Sequence, residues 1–144
     1  MAGMRIPEIV ARFGWTHFRD LESDVAREVS ERDDLIVDTG GGVIERAKNV
    51  EVLRRGGILF WLTAPVDVIV SRIESGTERP PLVEGKTFTQ EVEDVLARRT
   101  AMYAAAAHQE IPTADQTVEE VAGAIAAHWG QVGDGPQKDR HNRL

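Results

Sequence analysis

At 144 residues and 42% hydrophobic content, the chain has enough apolar side chains for one core and not two, so a single domain is expected. It contains no cysteine, which excludes disulfides, thiolate metal sites and a cysteine nucleophile. A formal charge of −7 is the wrong sign for a general binder of phosphate backbones, so small molecules rather than nucleic acid are the expected partners. Met1-Ala-Gly-Met-Arg-Ile-Pro-Glu8 lacks the apolar core of a signal peptide, and no stretch reaches the roughly 18 apolar residues of a membrane span. A soluble, cytoplasmic protein with no membrane partner is expected.

In chain order, Phe18, Leu21, Val25 and Val29 recur at helical spacing, with Thr16 or His17 near the start. A short strand is predicted over 34–37, running into Gly40, Gly41 and Gly42. Such a glycine run is either a turn between two elements or a loop whose backbone N–H groups approach a polar ligand that a Cβ would keep away. Ala47 to Arg55 reads as a helix stopped by Gly56-Gly57. Ile58-Leu-Phe-Trp-Leu62 is an unbroken apolar run, the pattern of a parallel strand covered on both faces, with Trp61 in the core. Pro65 opens a helix whose stripe is Val66, Ile69, Val70 and Ile73. A charged loop over 76–86, a long helix from Glu91 to about Ala107, a short strand over 110–112 and a last helix over 118–129 follow. Residues 130–144 are polar and aperiodic and are expected to form a disordered tail. Alternating strands and helices of this kind predict an α/β fold with a parallel sheet and its site at the carboxyl ends of the strands.

Several charged residues stand where a ligand could use them, each with a plain alternative. Arg19 and Glu22 are three apart on one helix face, so the carboxylate can orient the guanidinium; a solvated surface pair reads the same way. Arg79, before Pro80 in the charged loop, could close over a phosphate or face solvent. Arg72 at a helix end suits a cation beside the helix C-terminus. Arg99 and Tyr103, one turn apart, could be an arginine packed on a core tyrosine. Gly85-Lys86-Thr87 ends like a phosphate-binding loop, but Pro80 stands where G-x-x-x-x-G-K-[ST] needs its first glycine. The four histidines show no metal-ligand spacing.

Placed in order, Gly3-Met-Arg-Ile-Pro-Glu-Ile-Val-Ala-Arg-Phe-Gly14, Phe18-Arg-Asp-Leu-Glu22, Thr39-Gly-Gly-Gly42, Trp61-Leu-Thr-Ala-Pro65 with Arg72, Arg79-Pro80 and Arg99-x-x-x-Tyr103 resemble the shikimate kinase family over about residues 3 to 127. Gluconate and nucleoside monophosphate kinases share the architecture but not these motifs. The resemblance implies a P-loop kinase-like three-layer α/β/α fold over 1–129, and transfer of the γ-phosphate of ATP to a hydroxyl of shikimate with Mg²⁺. It implies that Arg19 and Arg99 bind the shikimate carboxylate and that Gly40, Gly41 and Gly42 contact the ring through backbone N–H groups. Arg72 would lie near the adenine, and Arg79 would neutralise charge on the transferred phosphoryl group as the catalytic residue.

The sequence also departs from the family. The family's P-loop, first strand and Asp-x-Asp segment precede the equivalent of Gly3, so the sheet, of implied order 2-3-1-4-5, is expected to lack its central strand here. Trp15 stands where the family commonly has Glu, and Asp38 where it has a small residue; Asp38 is a candidate neighbour of Mg²⁺. A shikimate kinase whose chain begins earlier is the favoured expectation. The alternatives are a shikimate-binding pseudoenzyme and half of a split kinase completed by a P-loop-bearing chain. Unpaired backbone groups beside the missing strand predict an unstable or molten 144-residue chain.

Overall fold

The computed structural model describes residues 3–74 and 87–131. Arg79, Pro80, the rest of the charged loop and residues 132–144 of the predicted tail therefore lie outside the described residues. The chain divides into two compact units, Met1–Gly57 and Ile58–Leu144.

The first unit is built on helix α1, Ile6–Ser30. Its start was not legible in the spacing of Phe18 to Val29, because the signal is a local cap: the Glu8 carboxylate accepts the Arg5 N–H at 2.9 Å, and proline occupies the first turn. Gly14 breaks the helical path with φ 82° and ψ 166°, a conformation open to glycine, so α1 runs as two segments about a kink. Phe18, Leu21, Val25 and Val29 are half-buried as their spacing requires, and Ile9 and Ala26 are buried. The predicted strand over 34–37 does not form. Asp34 turns the chain with φ 57°, and Ile36 is 105% exposed. A strand exists only where a neighbour takes up its N–H and C=O groups, and none pairs with this run among the described residues. The glycines lead into a 3₁₀ turn, Val43–Glu45, and then helix α2, Ala47–Gly56, which packs on α1. Val43 and Ile44 are buried and anchor the turn.

The second unit holds a two-stranded parallel sheet. Strand β1, Phe60–Thr63, pairs with β2, Gln109–Pro112, in the register Phe60↔Gln109 to Thr63↔Pro112. The pairing is extended at both ends. The Leu59 N–H donates to His108 Nδ1 at 2.9 Å, and the Thr113 N–H donates to the Thr63 carbonyl at 2.8 Å. The expectation of a strand covered on both faces does not hold, since Leu62 is exposed and Phe60 and Trp61 are half-buried. Trp61 stacks on Tyr103 with ring centroids 5.7 Å apart, so it packs on a helix without being sealed in a core.

Among the described residues this unit also has three helices, α3, Val66–Glu74, α4, Phe88–Ala106, and α5, Val118–Gln131. The start of α4 lies three residues before the predicted Glu91. Thr87 and Gln90 close a capping box, the Thr87 N–H donating to Gln90 Oε1 at 3.0 Å and the Gln90 N–H to Thr87 Oγ1 at 3.3 Å. The threonine of the misleading Gly-Lys-Thr is thus a helix cap. Helix α5 runs through Gln131, so the predicted tail cannot begin at Gly130. α3 packs on α4, α5 contacts β2, and Val70, Ala106 and Ile111 are the buried apolar residues.

Candidate active site

Arg19 sits in the second segment of α1 and is fixed on several sides. Its Nη1 donates to Glu22 Oε2 at 2.8 Å, the pairing the three-residue spacing predicts, and its Nη2 lies 3.1 Å from Glu45 Oε2 on the 3₁₀ turn. The rings of Phe18 and Trp15 lie 5.3 Å and 5.7 Å from its Cζ, favourable contacts for a cation over an aromatic face. Only 15% of the side chain is exposed.

The glycine corner lies against this guanidinium. A Cβ at Gly42 would stand 2.3 Å from Arg19 Nη1, 2.5 Å from Nη2 and 2.8 Å from Cζ. Gly42 has an ordinary φ of −88°, so its glycine is required by the close approach and not by backbone conformation. Gly40 is the opposite case, with φ 59° and open space around it. Asp38 Oδ1 accepts the Gly40 N–H at 3.3 Å, which makes Asp38 a turn residue of this corner. Arg19 and Gly42 are thus brought together.

Residues that sequence reasoning missed hold the corner in place. Asn49 is 1% exposed and donates from Nδ2 to the Val43 carbonyl at 3.1 Å, tying the first turn of α2 back to the 3₁₀ turn. A lone Asn in a helical pattern reads as a surface residue, so nothing in the sequence marked it. Arg46 reaches α1, pairing with Asp20 at 2.7 Å and donating to Ser23 Oγ at 3.2 Å. A cleft of about 350 Å³ between α1 and α2 is lined by Asp20, Ser23, Arg46 and Asn49 among others, and excludes both Arg19 and the glycines.

The remaining expected site residues belong to the second unit. Arg72 at the end of α3 forks onto the residue after β2, Nη1 donating to Thr113 Oγ1 at 2.8 Å and Nη2 to the Thr113 carbonyl at 2.7 Å. Thr113 Oγ1 in turn donates to the Thr63 carbonyl at 2.9 Å. Arg99 is half-buried on α4, and Tyr103, one turn on, stacks on Trp61. Among the described residues, no group of three His, Asp or Glu side chains could hold a metal ion, and no helix is long and apolar enough to cross a membrane.

Comparison with known proteins identifies the family of this chain. The shikimate kinase family model matches residues 1–129. The chain belongs to the shikimate kinase family. Its relatives include a shikimate kinase of Nitratidesulfovibrio vulgaris, 41% identical over 74% of this chain and 62% of that protein, and shikimate kinase 2 of an Enterobacter species, 41% identical over 86% and 71%. The chain therefore spans somewhat less than two thirds of the first and somewhat more of the second. Among solved structures, the shikimate kinase of Acinetobacter baumannii in complex with shikimate aligns with a TM-score of 0.81, at 31% identity over 91% of this chain and 73% of that one. These likenesses give the chain the α/β fold of shikimate kinases, a family whose phosphoryl donor and metal are ATP and Mg²⁺.

Proposed function

We propose that the chain binds shikimate through Arg19, Gly40 to Gly42 and Arg99, and serves transfer of the γ-phosphate of ATP to a shikimate hydroxyl in the cytoplasm. The observation that supports this reading is the Arg19 guanidinium, turned against Gly42 by Glu22 and Glu45 and only 15% exposed. A guanidinium presented in this way recognises a carboxylate through charge-assisted, paired hydrogen bonds, and the bare Gly42 lets it lie against the backbone of the turn. Arg99 is included for its place in the family motif Arg99-x-x-x-Tyr103.

On the nucleotide side, Arg72, whose fork on Thr113 holds the segment after β2, would lie near the adenine, and Arg79 would neutralise charge on the transferred phosphoryl group. The described residues do not form a cage for Mg²⁺. Asp38 as a neighbour of the metal has its own test: Asp38→Ala abolishing the Mg²⁺ dependence of turnover supports that role, and an unchanged dependence ends it.

The reading is tested by calorimetric titration of the chain with shikimate. Arg19→Ala and Arg99→Ala should each weaken binding about 30- to 150-fold, the scale of losing a hydrogen bond to a charged group of about 2–3 kcal/mol. A folded chain that does not bind shikimate overturns the reading. ATP turnover by the same protein separates a kinase from a shikimate-binding protein. Turnover appearing only on mixing with a P-loop-bearing chain marks a split enzyme.

A further inference from the structure

The Arg19 guanidinium is occupied in a way that bears on ligand affinity. Glu22 takes Nη1 from the same helix, at 2.8 Å and with only 15% of its own side chain exposed. The backbone of Gly42 and the rings of Phe18 and Trp15 cover other approaches to the group. Nη2 is taken by Glu45, whose side chain is 30% exposed, the more accessible of the two carboxylates. The backbone under Glu45 is firmly held. Val43 and Ile44 are buried, the Glu45 N–H donates to the Gly42 carbonyl at 3.1 Å, and Asn49 holds the Val43 carbonyl. The Glu45 side chain can therefore leave Arg19 by a rotamer change, with no movement of the turn, whereas Gly42 cannot withdraw without moving it.

We propose that Glu45 occupies on Arg19 the place a substrate carboxylate takes, and so sets the affinity for carboxylate ligands by competing for the same guanidinium. The proposal rests on reading Arg19 as the carboxylate receptor. One arginine between two carboxylates leaves this cluster with a net charge of −1, so an incoming carboxylate is repelled until Glu45 swings away. The internal pair also penalises ligands too weak to displace a carboxylate.

The test compares the full chain with Glu45→Gln and Glu45→Ala by calorimetric titration with shikimate and with its methyl ester, which carries no carboxylate charge. Both variants should bind shikimate about three- to tenfold more tightly than the parent chain, the range for releasing one partly exposed ion pair, while binding of the ester stays the same. Unchanged or weaker shikimate binding in both variants overturns the proposal, as does equal tightening for the ester. If the parent chain binds no shikimate, the reading of Arg19 as a shikimate receptor fails by itself. The competition is then decided by following the Arg19 Nε resonance during titration with cyclohexanecarboxylate. Tighter binding in Glu45→Gln upholds the competition, and equal binding overturns it.

Discussion

Gly42→Ala separates ligand binding from folding. At φ −88° and ψ −9° an alanine is conformationally at ease, and replacing glycine at such a position typically stabilises by about 0.4–1 kcal/mol through the unfolded chain. The added methyl, however, would sit 2.3 Å from Arg19 Nη1, and a flexible guanidinium gives way more readily than backbone. Arg19 must then leave Glu22 and Glu45, two ion pairs worth about 0.2–1 kcal/mol each if taken as surface pairs, and somewhat more at this burial. The opposing terms nearly cancel, so urea unfolding should place Gly42→Ala within about 1 kcal/mol of the parent. Shikimate affinity should fall about thirtyfold, since a receptor contact of about 2 kcal/mol is displaced. Gly56→Ala is the control. Its Cβ would stand 2.5 Å from the Ser30 carbonyl oxygen, which is backbone and cannot swing aside, so overpacking should cost about 2–3 kcal/mol. Parent-like shikimate binding by Gly42→Ala, or a Gly42→Ala variant as unstable as Gly56→Ala, would refute the reasoning.

Asn49→Ala leaves the Val43 carbonyl without its buried donor, and should lower the stability read from urea unfolding by at least about 1–3 kcal/mol at unchanged m; an unchanged midpoint contradicts this role. Arg72→Lys replaces the fork on Thr113 by a single point donor, so the Thr113 amide should exchange with solvent about tenfold faster, and unaltered exchange would show that the fork does not hold this end of the sheet. The Thr117 N–H and hydroxyl hold the Glu120 carboxyl below its usual 4.5. A lowered carboxyl contributes stability above that usual value and loses it as the pH falls through the lowered one, so the first turn of α5 should fray only in that acid range, and in Glu120→Gln the fraying should vanish. A Glu120 carboxyl resonance titrating at or above 4.5 excludes the cap.

Much of the site was legible because its signals are local. Arg19 and Glu22 share a helix face by spacing alone, and Gly40 to Gly42 announce a backbone corner wherever they stand. The glycines do not say why each is needed. Gly40 is there for its positive φ and Gly42 for the guanidinium beside it, a distinction that depends on a residue more than twenty positions earlier. Asn49 and Glu45 escaped notice for the same reason, since a polar residue in a helical pattern reads as solvated until something is found folded over it.

The sequence by itself determined the existence of the helices, whose side-chain period is a property of neighbouring residues, although the caps that start α1 and α4 were found only in the structure, and it determined the family through the order of short motifs. Only the tertiary structure decided which apolar runs become strands. Phe60 to Thr63 is a strand because Gln109 to Pro112 lies beside it to take up its backbone hydrogen bonds, and residues 34–37, just as apolar in pattern, are not, because no strand pairs with them among the described residues. A helix satisfies its own peptide groups, whereas a strand needs those of a distant segment, so pairing cannot be read from one stretch of sequence.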